Sequence, residues 1–374
     1  MSGSRRAPAD ARAAGGIPVL DLSRFDAAGV DSARLEEPGL ERVGLEGRMA
    51  FLDALRAAAR EVGFFYVTGH GIEAQFLRDL AGWARRFFAL PEPDKLAIGM
   101  VNSPHFRGYT RVAAERTRGF EDWREQIDIG AERPALTPEA HAPPWTRLQG
   151  PNQWPHALPA LRSAVLRWQV EAGGVLIRLL RALSLALGQP EAALEPIYRD
   201  DPHFLVKLIR YPGRDATAGD QGVGAHKDSG LLTLLLQDEQ PGLQVATAAG
   251  WIDVPPRADT LVVNIGEILE LASDGYLRAT LHRVVTPPAG FERVSVAYFM
   301  GARLDAQVPR FALPPALAVH AHGPERDPEN PLFRDVGENY LKGRLRSHPD
   351  VARRFYADLI EDRGVAEREG VRGA

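Results

Sequence analysis

The 374-residue chain is 45% hydrophobic and 25% charged, with a formal net charge of −4 and a pI of about 6.2. Such a composition suits an ordinary globular protein with a large core and offers no basic field for nucleic acid. Cysteine is absent, which excludes disulfides, iron–sulfur clusters, thiolate zinc sites and thiol nucleophiles, so any metal falls to His, Asp or Glu.

Residues 1–16 contain Arg5 and Arg6 but no apolar run behind them, and read as a disordered leader. No stretch approaches the length of a membrane span, so a soluble, cytoplasmic protein is expected. Ile17-Pro-Val-Leu-Asp21 reads as a short strand and residues 31–47 as a loop. Met49, Leu52, Leu55, Ala59 and Val62 recur at helical spacing, and Gly63 ends that helix before the β-rich run 64–67. A second helix spans roughly 73–89. Residues 99–157 are rich in Pro, Gly and aromatics without periodicity, a pattern common in segments that cover active sites. Leu161, Val165, Trp168, Val175, Leu179 and Leu183 line one face of a long helix over 158–187, closed by Gly188 and Pro190.

Eight short β-rich segments follow, at 203–211, 223–228, 231–237, 242–246, 250–254, 260–265, 280–286 and 293–300. Turn residues such as Pro212-Gly213, Pro241-Gly242 and Pro287-Pro288 separate them, and the spacing predicts a jelly roll or barrel. A Pro-rich tail beyond 310 leads to a helix at about 348–362.

His226-Lys227-Asp228 falls in one predicted strand, where i and i+2 side chains share a face and can meet one ion. Two His and one carboxylate with open positions is the arrangement that non-haem iron(II) uses. His348-Pro349-Asp350 and His320-Ala321-His322 are rivals, read as cap and surface-loop residues. Downstream, His282 lies in another predicted strand, and Arg293 and Ser295 share a face of the next. A guanidinium fork with a hydroxyl beside it suits a carboxylate.

In this order and spacing the chain resembles the isopenicillin N synthase-like branch of iron(II)/2-oxoglutarate oxygenases. The family pattern is H-x-D, some fifty residues, H, ten residues and R-x-S; here 53 residues separate Asp228 from His282, and ten separate His282 from Arg293. Gly224-Ala-His-Lys-Asp-Ser-Gly230, Val262-Val-Asn-Ile-Gly266 and Gly63-Phe-Phe-Tyr-Val-Thr-Gly-His-Gly71 add to the likeness, which spans about 17–310. The resemblance implies a mainly β fold with α, a distorted double-stranded β-helix (jelly roll) with a helical N-terminal region. Its parts would be the leader 1–16, an N-terminal dioxygenase region 17–157, a catalytic core 158–310, and a tail with a helix, 311–374.

It further implies Fe(II) on His226, Asp228 and His282, with 2-oxoglutarate and O2 as cosubstrates and the distal carboxylate of 2-oxoglutarate on Arg293, Ser295 and Tyr211. One departure stands out: Ile209 occupies the position of an Asn common in plant members, as it does in isopenicillin N synthase, which uses no 2-oxoglutarate. Two enzyme readings therefore stand, a 2-oxoglutarate oxygenase and an oxidase without that cosubstrate; the intact ligand set disfavours a non-catalytic binding protein. The expected partner is a small-molecule substrate, with no nucleic acid and no membrane. Lys207, on the strand parity of Tyr211, together with Phe106, Arg107, Tyr109 and Phe299, are the substrate-facing candidates, while Asn264 is read as a buttress without chemistry.

Overall fold

The computed structural model describes residues 16–26, 38–136, 141–215, 219–325, 327 and 330–360. Most of the expected leader and the last part of the C-terminal helix lie outside them. The N-terminal half runs β1 (Val19–Asp21), α1 (Ser23–Asp26), α2 (Pro38–Glu61), β2 (Phe64–Thr68), α3 (Ala74–Phe88), α4 (Glu92–Leu96), β3 (Gly108–Thr110), β4 (Arg116–Thr117), β5 (Phe120–Glu121), β6 (Glu125–Gly130), α5 (Ala160–Ala186) and α6 (Glu195–Tyr198). Eight strands follow: β7 (Phe204–Pro212), β8 (Gln221–His226), β9 (Leu232–Gln237), β10 (Leu243–Thr247), β11 (Gly250–Asp253), β12 (Leu261–Ile265), β13 (His282–Val285) and β14 (Glu292–Met300). Helix α7 (Glu267–Ala272) interrupts them, and α8 (Pro315–Ala318), α9 (Val336–Ser347) and α10 (Pro349–Phe355) close the chain.

All eight expected strands are present, and they fold with β1, β2, β3 and β6 into two facing sheets. The large one has the order β1-β2-β12-β9-β14-β7-β6-β3, and the small one β11-β10-β13-β8. This is the double-stranded β-helix core of mixed α/β character, with helical segments before and after it. Alternation along the strands divides the large sheet into two faces. Leu208, Val206, Val294, Val296, Leu234 and Val263 point to the helices, where they join Trp168, Leu176 and Leu80 in the main core. Ile209, Tyr211, Val262, Phe64 and Tyr66 point to the small sheet and pack with Val223, Leu243, Val245 and Val284.

Three elements differ from the sequence reading. Helix α2 starts at Pro38, in what reads as loop, because Pro is well tolerated in a first turn, where backbone N–H groups lack helical partners. Its end at Gly63 is as expected: the residue has φ +73°, and a Cβ there would lie 2.3 Å from the Arg278 carbonyl oxygen. Strand β6, Glu-Gln-Ile-Asp-Ile-Gly, is buried along its whole length inside the segment taken as irregular. Its acidic residues speak against a strand by propensity, but bases offset them: Lys95 Nζ lies 2.9 Å from Glu125, and Arg344 Nη1 2.9 Å from Asp128. The helix expected at about 348–362 begins at Pro349 as α10, but a further helix, α9, precedes it in the stretch read as a Pro-rich tail, and Pro349 separates the two.

Candidate metal centre

The small sheet makes the 53-residue separation between the ligands short in space. Strands β8 and β13 are antiparallel neighbours, and His226 and His282 are direct partners across them, with ring centroids 4.2 Å apart. The pairing is irregular immediately beyond His282. The strand ends at His226, not at Asp228 as expected; the chain then turns, and the Asp228 carbonyl accepts from Glu267 N at the start of α7 (2.8 Å). That turn brings the carboxylate back beneath both imidazoles.

The hydrogen bonds leave three atoms uncommitted. His226 Nδ1 lies 2.9 Å from the Gly224 carbonyl oxygen, and His282 Nδ1 lies 3.1 Å from that of Thr280. Both rings thereby present Nε2 to Asp228 Oδ1, at 3.6 and 3.7 Å. The other carboxylate oxygen, Oδ2, accepts from Thr233 Oγ1 at 2.5 Å and Asn264 Nδ2 at 2.8 Å. Thr233 and Asn264 are themselves direct partners across β9 and β12. A cross-strand pair from each sheet thus builds the site: two imidazoles from the small sheet, and two donors that orient the carboxylate from the large one. Asn264, read as a buttress, helps aim Asp228, and Thr233 escapes the sequence reading because its role depends on which strands pair. Phe64 braces the His282 ring edge-on at 5.1 Å.

Burial lowers the pKa of His226, and the neighbouring imidazole of His282 lowers it further. The ring is therefore neutral, the form that binds metal. Burial raises the pKa of Asp228, but the two imidazoles and the bonds from Thr233 and Asn264 outweigh it and hold the carboxyl below its usual range. Two imidazole nitrogens and one ionised carboxylate oxygen, each already oriented by its neighbours' hydrogen bonds, fit a divalent cation such as iron(II). Among the described residues these three form the group of His and carboxylate side chains whose ligating atoms all lie within 4.8 Å of one another.

Arg293 is 1% exposed and lies on the inner face of β14, two residues from Ser295. Its Nη1 donates to Ser295 Oγ at 3.3 Å and its Nη2 to Gln237 Oε1 at 2.9 Å, while its Nε has no partner. The guanidinium stands 5.1 Å from the ring of Tyr211, its direct partner on β7. No carboxylate pairs with this buried cation among the described residues, which leaves it suited to an acid brought by a ligand. Gln237, the last residue of the strand expected at 231–237 and given no role there, is the direct partner of Ser295.

The substrate-facing candidates divide. Phe299 is half-buried on the inner face, as the direct partner of Thr233, and so lies beside Asp228. Lys207 is on the same face but pairs with acids, 3.4 Å from Glu115 and 3.7 Å from Asp128. Tyr109 points to the helical side, where its hydroxyl donates to Glu125 at 2.6 Å. Phe106 packs against Tyr356 and His348, with centroids at 5.4 and 6.0 Å. Arg107 is wholly buried; it donates to the carbonyls of His105, Phe106 and Leu148, and burial with the nearby Arg344 pushes it down to about 9. Alternation along β3 thus places Tyr109 away from the triad, and Phe106 packs against the C-terminal helices. Of the rival histidines, His320 and His322 are exposed, but His348 is buried, with Nδ1 2.8 Å from Ser347 Oγ. His348 does hold the cap position at the start of α10, as read, but the turn before Pro349 folds its ring inward and not to the surface.

Residues 202–302 match the 2OG-Fe(II) oxygenase superfamily, and residues 17–157 match the family described as non-haem dioxygenase in morphine synthesis N-terminal. A 2-oxoglutarate-dependent dioxygenase, frbJ, of Dothideomycetidae sp. (strain 11243) is 35% identical over 378 residues, covering 96% of this chain and 96% of that one. The chain belongs to the isopenicillin N synthase-like 2OG-Fe(II) oxygenases. A homoarginine-6-hydroxylase of Glycine max is 35% identical over 300 residues, or 78% of this chain and 87% of its own. Among solved structures, a 2OG-Fe(II) oxygenase family protein of Caulobacter crescentus superposes with a TM-score of 0.66 at 26% identity, covering 88% of this chain and 98% of that one. JOX2, solved with 2OG, Fe and JA, gives 0.64 at 25% identity, covering 89% and 85%. The protein is thus an Fe(II)/2-oxoglutarate-dependent dioxygenase, and the cosubstrate left open by Ile209 is 2-oxoglutarate. No helix among the described residues is long and apolar enough to cross a membrane.

Proposed function

We propose that this 2OG-Fe(II) oxygenase oxidises an unactivated C–H bond of a small molecule, with hydroxylation the simplest outcome and desaturation or ring closure the variants. For hydroxylation, substrate C–H, 2-oxoglutarate and O2 give substrate C–OH, succinate and CO2. The observation that carries this reading is the convergence of His226 Nε2, His282 Nε2 and Asp228 Oδ1 while every other polar side-chain atom of the three is hydrogen-bonded. In this reading residues 158–310 are the catalytic core and 17–157 the region packed against it.

His226, Asp228 and His282 would hold the iron, which together with 2-oxoglutarate supplies the oxidative decarboxylation that makes O2 reactive toward a C–H bond. Arg293 receives the distal carboxylate of 2-oxoglutarate, with Ser295 Oγ and Tyr211 beside it. Gln237 keeps the guanidinium fork turned to that acid. The apolar residues between the sheets, Val223, Val262 and Val284 among them, limit water at the reacting end. Phe299 bounds the substrate beside Asp228. The names of the homoarginine-6-hydroxylases among the relatives favour a polar, amino-acid-like substrate.

Succinate measured against 2-oxoglutarate consumed tests this reading. One succinate per 2-oxoglutarate is expected from the Fe(II)-loaded enzyme, and none from His282→Ala. Substrate oxidation without succinate would contradict it.

A further inference from the structure

The inner face of the large sheet carries a second polar cluster beside the triad. The cross-strand pairs Gln126–Ile209 and Asp128–Lys207 put Gln126, Asp128 and Lys207 on the face that also presents Ser295 and Tyr211. Thr233, which holds Asp228, lies on β9, and β14 is the only strand between β9 and β7. Two strand spacings amount to about 10 Å. Glu115 and Arg124 from the segment around β4 and β5, and Arg344 and His348 from the end of α9, close the cluster from the other side.

Its contacts are unequal. Arg124–Glu115 at 2.8 Å and Arg344–Asp128 at 2.9 Å are close hydrogen-bonded ion pairs. Lys207 is held loosely, 3.4 Å from Glu115 and 3.7 Å from Asp128. Gln126 donates Nε2 to Asp128 Oδ1 at 2.9 Å, yet its Oε1 has no partner, and neither does His348 Nε2. Both side chains are at least 98% buried, at 1% and 2% exposure. Buried polar atoms in native proteins are nearly always paired, so an unmatched acceptor that shares Asp128 with a loosely held ammonium marks a seat for a ligand.

We propose that Lys207, Gln126 and Asp128 seat the head group of an α-amino acid substrate. Its carboxylate meets Lys207 Nζ, its ammonium meets Gln126 Oε1 and Asp128, and its side chain runs across β14 toward the triad. The inference rests on the oxygenase function proposed above and assigns the substrate class of that same site. An amino acid carries opposite charges on one carbon, which matches a cation and an acid that are direct cross-strand partners. An apolar acid satisfies Lys207 alone and leaves the buried amide oxygen unpaired, which selects against it.

The test uses the anaerobic Fe(II)·2-oxoglutarate enzyme, whose weak visible charge-transfer band reports substrate arrival. L-Arginine and L-homoarginine are titrated against agmatine, which is arginine without its carboxylate. The amino acids are expected to alter the band, with agmatine weaker by about tenfold or more. Lys207→Met erases that preference while the band still forms. Gln126→Leu weakens L-arginine and agmatine alike, and carries the test if Lys207→Met does not fold. A normal band that no amino acid alters, or a preference for arginine over agmatine that survives Lys207→Met, overturns the seat and leaves the oxygenase reading standing. A band that never forms on iron-bound enzyme overturns the oxygenase reading, and the seat with it.

Discussion

Asp228 shows how much of a metal site lies in residues that never touch the metal. Its Oδ2 is occupied by Thr233 and Asn264, and this alone turns Oδ1 to the imidazoles. Removing one donor frees the carboxylate to rotate, so Asn264→Ala is expected to weaken Fe(II) binding about 10- to 100-fold with the fold retained, as measured by anaerobic metal titration. Unchanged affinity would mean that Thr233 alone orients the carboxylate. Ligand types, order and spacing of the triad are legible in the sequence, because an H-x-D with a distant His and an R-x-S is a local pattern. The Thr233–Asn264 and Ser295–Gln237 partnerships are not, since they exist only once β12, β9 and β14 are neighbours. Lys207 is legible as an inward residue by parity, whereas its acids, Glu115 and Asp128, come from the segment 99–157, whose Pro, Gly and aromatic residues without periodicity hide strand β6.

At the scale of elements, α9 matters most to the cluster beside the triad, because it carries Arg344 and leads into His348. Its N-cap is Asp335, whose Oδ1 accepts from Glu338 N at 2.8 Å. Asp335→Ala should cost about 1 kcal/mol of stability in urea unfolding. His348 gives this region a pH dependence. Burial lowers its pKa from 6.5 to about 4, against the opposing pull of Glu115. A His with a depressed folded pKa contributes stability that is complete above the unfolded value of 6.5 and is lost as pH falls toward about 4. The loss amounts to about 3 kcal/mol once both values are passed. His348→Asn should flatten the stability profile between pH 6.5 and 4, and a profile as steep as wild type would contradict the assignment. The eight strands of the sandwich were legible because Pro and Gly punctuate them. The start of α2 and the whole of α9 were not, because the neighbouring prolines read as loop and composition alone does not reveal where a helix admits proline.

Across the whole molecule, one apolar core joins the two halves of the chain: Leu55 and Leu80 from the N-terminal part, Trp168 and Leu176 of α5, and Val296 and Leu234 of the large sheet. Trp168 is fully buried at the centre of that contact. Trp168→Ala should destabilise the protein by about 3–5 kcal/mol and lower the unfolding of both halves together. Selective loss of one half would show that they are energetically separate. Iron adds to this stability through linkage, because the triad exists only in the folded chain. The claim on which the account turns is that His226, Asp228 and His282 bind one Fe(II) beside a carboxylate anchor at Arg293. Its most direct test is the anaerobic visible spectrum on adding 2-oxoglutarate to Fe(II)-loaded enzyme. The account predicts a weak charge-transfer band at one iron per chain, absent in His282→Ala and needing far more 2-oxoglutarate in Arg293→Leu. A band unchanged by both substitutions, or none with iron bound to wild type, contradicts it.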